Sequence, residues 1–295
     1  MNYRRQFAKV FEDKNALPLL AKSVGVTVPK TLLSATAGVY RDENYSFISK
    51  AQALKILDNI GEAFVKPSVD SSSGRGCGLV NVKDGVDGVS NKKSEELLES
   101  FGSDFCIQNK ITNHETVKRL HENSVNTFRV ITYRWKDEIC FMPIIMRIGQ
   151  GGGFVDNAHA GGMFIAVNDD GTLHEKAFTE FKKEFSVHPT SKIVFKDYKI
   201  EFIDEIKSNA KRMHQALPQI GVVNWDFTVG ENGEIILIEA NVLGGSVWLV
   251  EIAHGKGAFG EKTAEILRWI RFMKKTPKNK RGKYLFGNMP KGKAI

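Results

Sequence analysis

The alternation of apolar and polar residues is most regular between residues 222 and 246. Asn232-Gly233 predicts a two-residue turn of type I′ within this stretch, because both turn residues must adopt positive φ. On either side of the turn, the period of two is typical of a β-strand. The stretch therefore predicts a hairpin of two paired strands.

The position of the turn predicts which residues of this hairpin face each other. Asp226 is expected opposite Glu239, and Asn224 opposite Asn241, so that these four polar side chains share one face. The other face is predicted to be apolar, and it carries Trp225, Phe227, Ile236 and Ile238.

Two opposed carboxylates are unfavourable in a bare hairpin, since like charges at opposite positions destabilise a strand pair. A divalent cation bound by Asp226, Glu239 and Asn241 would remove this conflict, and Mg²⁺ is the usual choice where phosphates complete the ligand shell. On this interpretation, Glu239→Gln should stabilise the metal-free protein. The alternative is an ordinary amphipathic hairpin with one face in water.

Elsewhere the pattern predicts a succession of helices and strands. Apolar residues at helical spacing predict four helices, over residues 17–24, 49–60, 94–101 and 203–217. Apolar runs predict strands over residues 63–67 and 105–111. Residues 167–202 are expected to form a β-hairpin extension with polar turns, and whether it faces a substrate is left open.

A polar, glycine-rich segment follows the strand that ends at Lys66-Pro67. Its backbone N–H groups near Gly74 and Gly76, with Ser73 and Arg75, would suit the oxygens of a polyphosphate, and Lys66 would direct a charge at them. The spacing is not that of a P-loop. A solvent-exposed hairpin is the alternative interpretation of the same segment.

Composition places the chain among globular α/β proteins. It has 295 residues, of which 42% are hydrophobic and 26% charged, which suits two lobes or one elaborated domain. Cys77, Cys106 and Cys140 are too few and too scattered for a disulfide framework, so we expect free thiols and a reducing compartment. No apolar run or leader pattern is evident, and the expected location is cytoplasmic.

The formal net charge of +8 is concentrated at the C-terminus. Residues 274–295 contain eight Lys or Arg and no Asp or Glu, so the rest of the chain is balanced. A solvated, partly disordered tail is expected, and contact with nucleic acid or an anionic membrane is the alternative. No specific nucleic-acid binding is predicted.

Several motifs occur together in one order along the chain. They are Asp13-Lys14, FVKP followed by SSSGRGCG, FCIQNKI with an acidic residue seven positions beyond Gln108, and WDF…IEAN. In this order they resemble the ATP-grasp superfamily over residues 13–252. NTFRV, IIMRIG and FVDNAHAGG are similar to elements of the RimK-like ligases, and SVNTFRVIT and DNAHAGG resemble most closely the sugar-transfer-associated ATP-grasp proteins.

The resemblance implies an α/β (α+β) fold of two lobes, each with an antiparallel-rich sheet and helices, that grip a nucleotide between them. Residues 1–45 are then a short N-terminal helical segment with a truncated pre-grasp region, since family members usually carry a larger domain before the Asp-Lys element. The small lobe with its phosphate lid is expected over residues 46–111, the large lobe with the metal-binding hairpin over 112–273, and a basic tail over 274–295.

The resemblance also implies a role for individual residues. Lys14 and Lys66 match lysines that contact the nucleotide phosphates, and the strand of Ile107, Gln108 and Asn109 matches the hinge that reads the adenine edge. The ribose contact falls to Glu115, with His114 as the alternative. The metal ligands implied are Asp226, Glu239 and Asn241.

The remaining matches concern the reacting groups. Arg129 and Arg147 match arginines near the γ-phosphate and the acyl-phosphate intermediate. The far side of the site, where the carboxylate and its nucleophile meet, would be lined by Asn157, Gly161, Gly162, Gly245 and Ser246. His159 is a further candidate in that loop, and a surface or structural histidine is the alternative.

The activity implied is that of an ATP-dependent ligase with Mg²⁺, or alternatively Mn²⁺. It would join a small-molecule, saccharide or peptide carboxylate to an amine or similar nucleophile through an acyl phosphate, in the biosynthesis of a surface polysaccharide or peptide-type metabolite. The alternatives are a kinase of the same fold and a non-catalytic nucleotide-binding partner of polysaccharide machinery. The oligomeric state is left open.

Overall fold

The computed structural model describes residues 10–69, 76–152, 161–181, 183–242 and 245–289. Five residues that the sequence nominates for the site lie outside this part of the chain, namely Ser73, Gly74, Arg75, Asn157 and His159. Between residues 10 and 289 the described chain forms two sheets, and the pairs between their strands are antiparallel.

The first sheet and its helices form the small lobe. After helix α1 (Leu17–Ser23), its strands are β1 (Thr31–Thr36), β2 (Val39–Asp42), β3 (Phe47–Ile48), β4 (Gly61–Pro67), β5 (Gly78–Lys83), β6 (Val86–Asp87) and β7 (Phe105–Asn109). They pair in the order β3-β2-β1-β7-β4-β5-β6. Helices α2 (Lys50–Leu57) and α3 (Ser94–Ser100) cover one face of the sheet. The expected boundary after residue 45 is therefore wrong, because β1 and β2 belong to this sheet.

The two faces of β7 have different roles. Phe105 and Ile107 pack in the core beneath α2 and α3. Because side chains alternate along a strand, Cys106 and Gln108 lie on the opposite face, and Lys66 pairs with Cys106 in register. This face of the small lobe carries buried polar groups rather than a second apolar core.

The second sheet forms the large lobe, which begins after helix α4 (Glu115–Lys118). Its strands are β8 (Thr127–Trp135), β9 (Glu138–Phe141), β10 (Ile144–Ile148), β11 (Met163–Val167), β12 (Leu173–Thr179), β13 (Glu184–Phe185), β14 (Val222–Val229) and β15 (Ile235–Asn241). The order is β13-β12-β11-β10-β8-β14-β15, and β9 pairs with β8. One face packs on α5 (Ile203–Gln215), and the other on α6 (Val247–His254) and α7 (Thr263–Lys275).

The predicted hairpin is present as β14 and β15, but the predicted type I′ turn is wrong. The Gly230 amide donates to the Glu234 carbonyl at 2.8 Å, and the Gly233 amide donates to the Gly230 carbonyl at 2.9 Å. Gly233 has φ of +84°, whereas Asn232 is not in the positive region. The loop therefore has three residues, as in a type I turn followed by a left-handed glycine.

The register at the polar end of the hairpin is nevertheless the predicted one. Asp226 lies opposite Glu239 and Asn224 lies opposite Asn241. A β-bulge between Asp226 and Phe227 places one extra residue in β15, and it compensates for the longer loop. The longer loop and the bulge therefore compensate for each other, and the predicted pairs at the polar end of the hairpin are kept.

Between the bulge and the turn, the predicted faces of β15 are wrong. Phe227 lies opposite Leu237, and Leu237 is in the same core as Phe227 and Trp225. Ile236 lies opposite Thr228 instead. A shift of one residue exchanges the two faces of a strand, so Ile236 and Ile238 do not join that core.

The described part of the basic tail is ordered and packs on the large lobe, although its lysines are exposed to solvent as expected. A 3₁₀ segment, Lys278–Gly287, folds back on the large lobe. Trp269 Nε1 donates to the Tyr284 carbonyl at 2.7 Å, and Gly287 lies so close to Trp135 that an added Cβ would be 2.9 Å from the ring. In the part of the chain that the structure describes, no helix is both long and apolar enough to cross a membrane.

Candidate nucleotide and metal site

A carboxylate held by two arginines lies at the polar end of the hairpin. Arg129 on β8 donates through Nε to Asp226 Oδ1 at 2.5 Å and through a terminal nitrogen to Oδ2 at 3.0 Å. Arg147 on β10 approaches Oδ2 at 3.2 Å. Because Arg129 is the register partner of Asp226 on the neighbouring strand, the sheet itself brings this pair together.

The Asp226 side chain is only 2% exposed. Burial by itself raises the pKa of this carboxyl, but the adjacent Arg129 and Arg147 more than offset that effect and hold the pKa below its usual value. Asp226 is therefore ionised at neutral pH, and it fixes the orientation of both guanidinium groups.

The opposed carboxylate, Glu239, has a cation of its own. The Lys14 ammonium lies 3.1 Å from Glu239 Oε1, with the lysine side chain 7% exposed and the glutamate side chain 30% exposed. The conflict between Asp226 and Glu239 that the sequence implies is thus relieved by protein cations. Like-charge repulsion alone therefore does not require a metal here.

The segment around Lys14 contacts both lobes and so lies between them. Its backbone amide donates to the Ser68 carbonyl of the small lobe at 2.8 Å. Asn15 donates to the Ala35 carbonyl at 2.9 Å, while Glu12 accepts from the Val242 amide at 2.8 Å. Sequence reasoning missed Glu12 and Asn15, although their position beside the nominated Lys14 was a signal.

Lys66 is the second cation of the small lobe, and it is only 6% exposed. Burial lowers the pKa of its ammonium, and the nearby Lys14 lowers it further, against the opposing influence of Cys106 and Glu239. Among the residues that the structure describes, no carboxylate forms an ion pair with Lys66. A buried ammonium without a counter-ion is costly, and such groups are found where a ligand supplies the negative charge.

We call Lys14, Lys66, Arg129, Arg147, Asp226 and Glu239 together the charged cluster. Lys66 belongs to the small lobe, and the last four belong to the large lobe. Residues far apart in the sequence are thus brought into one site between the two sheets.

The residues around Glu239 suit a hard divalent cation. In its described ranges the structure shows no group of three His, Cys, Asp or Glu side chains that could hold a metal ion, but Asn241, two residues beyond Glu239 on β15, has an amide oxygen. A carboxylate has about four acceptor positions, and the arginines occupy three of those on Asp226. Glu239, Asn241 and one position on Asp226 would together offer an all-oxygen donor set of the kind that Mg²⁺ takes.

The nominated hinge strand presents an unsatisfied acceptor. Gln108 is buried, its Nε2 donates to Thr31 Oγ1 at 3.3 Å, and its Oε1 is buried without a hydrogen-bond partner. Ile107 faces the core and Asn109 is exposed at the end of the strand. A buried acceptor left unpaired costs about 1–3 kcal/mol, so Gln108 is suited to a ligand that brings a donor.

The two candidates for the ribose contact differ in their surroundings. His114 caps α4, since its Nδ1 accepts from the Thr116 amide at 3.3 Å, and its ring lies 4.9 Å from that of Phe202. Glu115 is exposed at the first helical position. The His114 ring therefore stabilises the start of α4, whereas the Glu115 carboxylate is accessible to a ligand.

The glycines nominated for the site are placed as follows. Gly76, at the start of the described chain after the lid, has φ of +72°. Gly161 has φ of +93°, its carbonyl accepts from Gln150, and Gly162 is buried beside it. Gly245 lies against the side-chain amide of Asn224, where an added Cβ would collide with it, and Ser246 precedes the first residue of α6.

The two antiparallel sheets and their helices are similar to an ATP-grasp ligase structure, and the ATP-grasp fold expected from the sequence is confirmed. The chain belongs to the family described as sugar-transfer associated ATP-grasp, which matches residues 1–266.

Known ligases are among the proteins that the chain resembles. D-alanine–D-alanine ligase of Lactobacillus helveticus (strain DPC 4571) is 25% identical over 240 residues, which are 81% of this chain and 54% of the relative. The crystal structure of D-alanine–D-alanine ligase from Helicobacter pylori is 16% identical, with a TM-score of 0.50, over 94% of this chain and 63% of that chain. VanG D-Ala:D-Ser ligase from Enterococcus faecalis is 17% identical, with a TM-score of 0.46, over 80% and 53%. The chain thus spans about half the length of the curated relative.

Proposed function

We propose that this protein is an ATP- and Mg²⁺-dependent ligase that joins a carboxylate to an amine or a similar nucleophile through an acyl phosphate. The observation that carries the proposal is the charged cluster, in which Lys66 is buried without a carboxylate partner among the described residues while Glu239 and Asn241 present oxygens across the site. Such a site combines cations for a polyphosphate with oxygen ligands for its metal ion.

Nucleotide binding is supported at three places. Lys66 and Lys14 would contact the phosphates, and the ligand charge would replace the counter-ion that Lys66 lacks. The unpaired Gln108 Oε1 would accept a hydrogen bond from the adenine amino group, beside the backbone of the hinge strand. Glu115, rather than His114, would bind the ribose hydroxyls.

Glu239, Asn241 and the remaining position on Asp226 would hold Mg²⁺. When bound, the ion neutralises phosphate oxygens and assists phosphoryl transfer. The protein supplies the ligand geometry, and Lys14 restrains Glu239 from the side that faces the small lobe.

Arg129 and Arg147 are suited to the charge that develops during the reaction. Their guanidinium groups are oriented by Asp226, and Arg147 also donates to Thr127 Oγ1 at 2.8 and 3.0 Å. Pre-oriented donors cost no reorganisation at the moment of reaction. We propose that both bind the transferred phosphoryl group and the acyl phosphate.

The chemistry follows in two balanced steps. A carboxylate oxygen of the first substrate attacks the γ-phosphorus, the bond to the β-phosphate oxygen breaks, and ADP leaves. The amine nitrogen then attacks the acyl carbon, phosphate leaves with the bonding electrons, and the nitrogen loses a proton. The carboxylate would be that of a small molecule, a saccharide or a peptide, and surface polysaccharide or peptide-type metabolite biosynthesis is the expected setting in the cytoplasm.

An isotope experiment distinguishes this ligase from a kinase of the same fold. The purified protein is incubated with ATP, Mg²⁺, pooled amines and pooled carboxylates labelled with ¹⁸O. The ligase predicts inorganic phosphate that carries one ¹⁸O atom, formed only when both pools are present. ADP release with a stable phosphorylated product would indicate a kinase, and no ADP release with any pool would favour a non-catalytic nucleotide-binding protein.

Removal of the Lys66 charge should affect stability and binding in opposite directions. Lys66→Met removes a buried ammonium, so the free energy of unfolding without nucleotide should rise by on the order of 1 kcal/mol at pH 7. ATP should bind about 10- to 150-fold more weakly, because a hydrogen bond to a charged group contributes roughly 1.5–3 kcal/mol. Calorimetry of both variants checks the two effects.

Lys110→Met is the matched control for this experiment. Lys110 lies one residue beyond β7 and forms an exposed pair with Glu62, so neither quantity should change by more than a few tenths of a kcal/mol. Since the folded state lowers the pKa of Lys66, the stability gain should be present at neutral pH. It should vanish as the pH rises towards the unfolded value near about 10.4. Equal ATP affinity in Lys66→Met and wild type would contradict the proposed phosphate contact.

A further inference from the structure

A buried pair of histidines lies beside the loop that follows Arg147. We call residues Gly149–Gly151 the glycine loop; it connects β10 to the segment with the nominated substrate residues. We infer that His121 and His188 position this loop for substrate binding, an inference that rests on the proposed function. We call the two histidines and their hydrogen bonds to the loop the clamp. His188 belongs to the insert over residues 167–202, which therefore supplies half of the clamp.

His188 holds the start of the glycine loop from the insert. The residue is fully buried, and its Nε2 lies 2.9 Å from the Gly149 carbonyl. Its Nδ1 accepts from the amides of Thr190 at 3.2 Å and Ser191 at 3.1 Å. These partners determine the tautomer: Nε2 carries the proton and donates to Gly149, and Nδ1 is the acceptor.

His121 holds the end of the glycine loop from the opposite side. Its Nε2 lies 2.9 Å from the Gly151 carbonyl, and its Nδ1 lies 2.8 Å from Ser124 Oγ. The Gly151 amide donates to Thr190 Oγ1 at 3.1 Å. The loop is thus bound from both sides, and the centroids of the two imidazole rings are 5.9 Å apart.

Asn126 extends the clamp to the start of α4. Its Oδ1 accepts from the Gly149 amide at 3.2 Å and from Ser124 Oγ at 2.8 Å. The backbone N–H of Asn126 donates to Asn113 Oδ1 at 2.9 Å, and Asn113 directly precedes His114. One connected polar network therefore joins the proposed ribose-binding end of the site to the glycine loop.

The glycine loop is shaped to fit this network. A Cβ added at Gly149 would collide with Ser124 Oγ and would lie 2.7 Å from His121 Nδ1. The backbone N–H and C=O groups of Gly149 and Gly151 all have partners in the network. Loops on protein surfaces are ordinarily mobile, so this degree of restraint indicates a loop whose position matters.

A positioning role has a distinct kinetic consequence. Among the described residues, neither histidine contacts the charged cluster or the hinge strand, so ATP binding should be largely independent of them. A small displacement of a substrate-binding segment lowers the rate strongly, by up to about 100-fold for 1 Å. We therefore expect substitution of these histidines to change the KM for the carboxylate or the amine and not the KM for ATP.

The test compares His188→Ala with His214→Ala. His214 is a matched control, because it is equally buried and its nitrogens also lie near a carbonyl, of Ile220 at 2.9 Å, and a hydroxyl, of Thr132 at 2.7 Å. Both variants should lose stability. Only His188→Ala should accelerate hydrogen exchange of the Gly149 and Gly151 amides, by about tenfold or more.

The kinetic arm uses the substrates found in the isotope experiment. His188→Ala should raise the KM for the carboxylate or the amine by roughly tenfold to 100-fold and change the KM for ATP less than twofold. His188→Gln retains an N–H donor near Gly149 and should recover most of the loss. Equal loss in His214→Ala, or no recovery in the glutamine variant, would overturn the positioning role.

The exchange measurement stands even if the ligase proposal fails. Thr190→Val changes an exposed, isosteric side chain, so folding is not at risk, and it should accelerate exchange of the Gly151 amide alone by about tenfold. Unchanged exchange in both Thr190→Val and His188→Ala would refute the clamp whatever the activity. Accelerated exchange without detectable ligation would retain the clamp and refute the ligase.

Discussion

Glu239→Gln is expected to reduce ATP turnover by roughly 10²- to 10³-fold, the loss typical of removing one electrostatic contact to a transition state. The substitution retains the shape of the side chain and removes one of its charged oxygens. Because Glu239 and Asn241 form most of the proposed donor set, the variant should also need a higher Mg²⁺ concentration for half-maximal activity. Steady-state turnover over a range of Mg²⁺ concentrations measures both effects.

The same substitution should lower, not raise, the stability of the metal-free protein. Lys14 is 7% exposed and pairs with Glu239, so the variant leaves a buried ammonium without its counter-ion, at a cost of about 1–3 kcal/mol. This reverses the expectation drawn from the hairpin alone. Glu231→Gln, in the exposed turn of the same hairpin, is the control, and unchanged turnover in Glu239→Gln would exclude the metal site.

Asp226→Asn should lower the free energy of unfolding by about 3–5 kcal/mol, because it removes the charged acceptor of the buried Arg129 guanidinium and the ion pair with Arg147. Arg129 and Arg147 lose their charged acceptor together. The amide can still accept hydrogen bonds, so the variant retains the shape of the site. Urea unfolding of the variant and wild type, followed by far-ultraviolet circular dichroism, measures the difference.

The pH dependence provides a separate test of the same pair. Since the arginines hold the folded pKa of Asp226 below its unfolded value, its stabilising contribution is present above the unfolded value, near about 3.9. It is lost as the pH falls below that value through the folded pKa. Asp137→Asn, in the exposed turn after β8, should show neither effect. A stability difference for Asp226→Asn that stayed constant from pH 7 to pH 2 would contradict the ion pair.

The hairpin keeps the predicted register at its polar end although the predicted turn is wrong. Asn232-Gly233 favours a two-residue turn, yet the chain forms a three-residue loop in which Gly233 alone has positive φ. The bulge after Asp226 restores the predicted register. The sequence gives no clear signal for this bulge, since a single extra residue in β15 leaves the apolar and polar pattern of both strands nearly unchanged.

The sequence predicts which cations belong to the charged cluster, but not which carboxylates they pair with. Lys14, Arg129 and Arg147 follow from the family resemblance, whereas their pairing with Glu239 and Asp226 depends on contacts between residues about 80 to 225 positions apart. Without these contacts, the sequence favours a divalent cation as the group that offsets the two opposed carboxylates. The structure shows that their charges are already balanced by protein groups.

Local signals predicted helices better than they predicted boundaries between units. Ser49 and Gln52 form a capping box at the start of α2, close to the predicted helix start. By contrast, the boundary after residue 45 divides a sheet whose first strand pairs with β7. Pairing between strands that are far apart in the sequence cannot be predicted from local sequence patterns.

Calorimetric titration with ATP tests most directly the claim that the charged cluster is a Mg²⁺-nucleotide site. Wild-type protein is titrated once with Mg²⁺ and once with an excess of chelator, and the Lys66→Met variant is titrated under both conditions. We expect one site per chain, with tighter binding in Mg²⁺ than in chelator, and weaker binding in Lys66→Met. Binding that is equally tight in all four titrations would place the nucleotide outside the charged cluster.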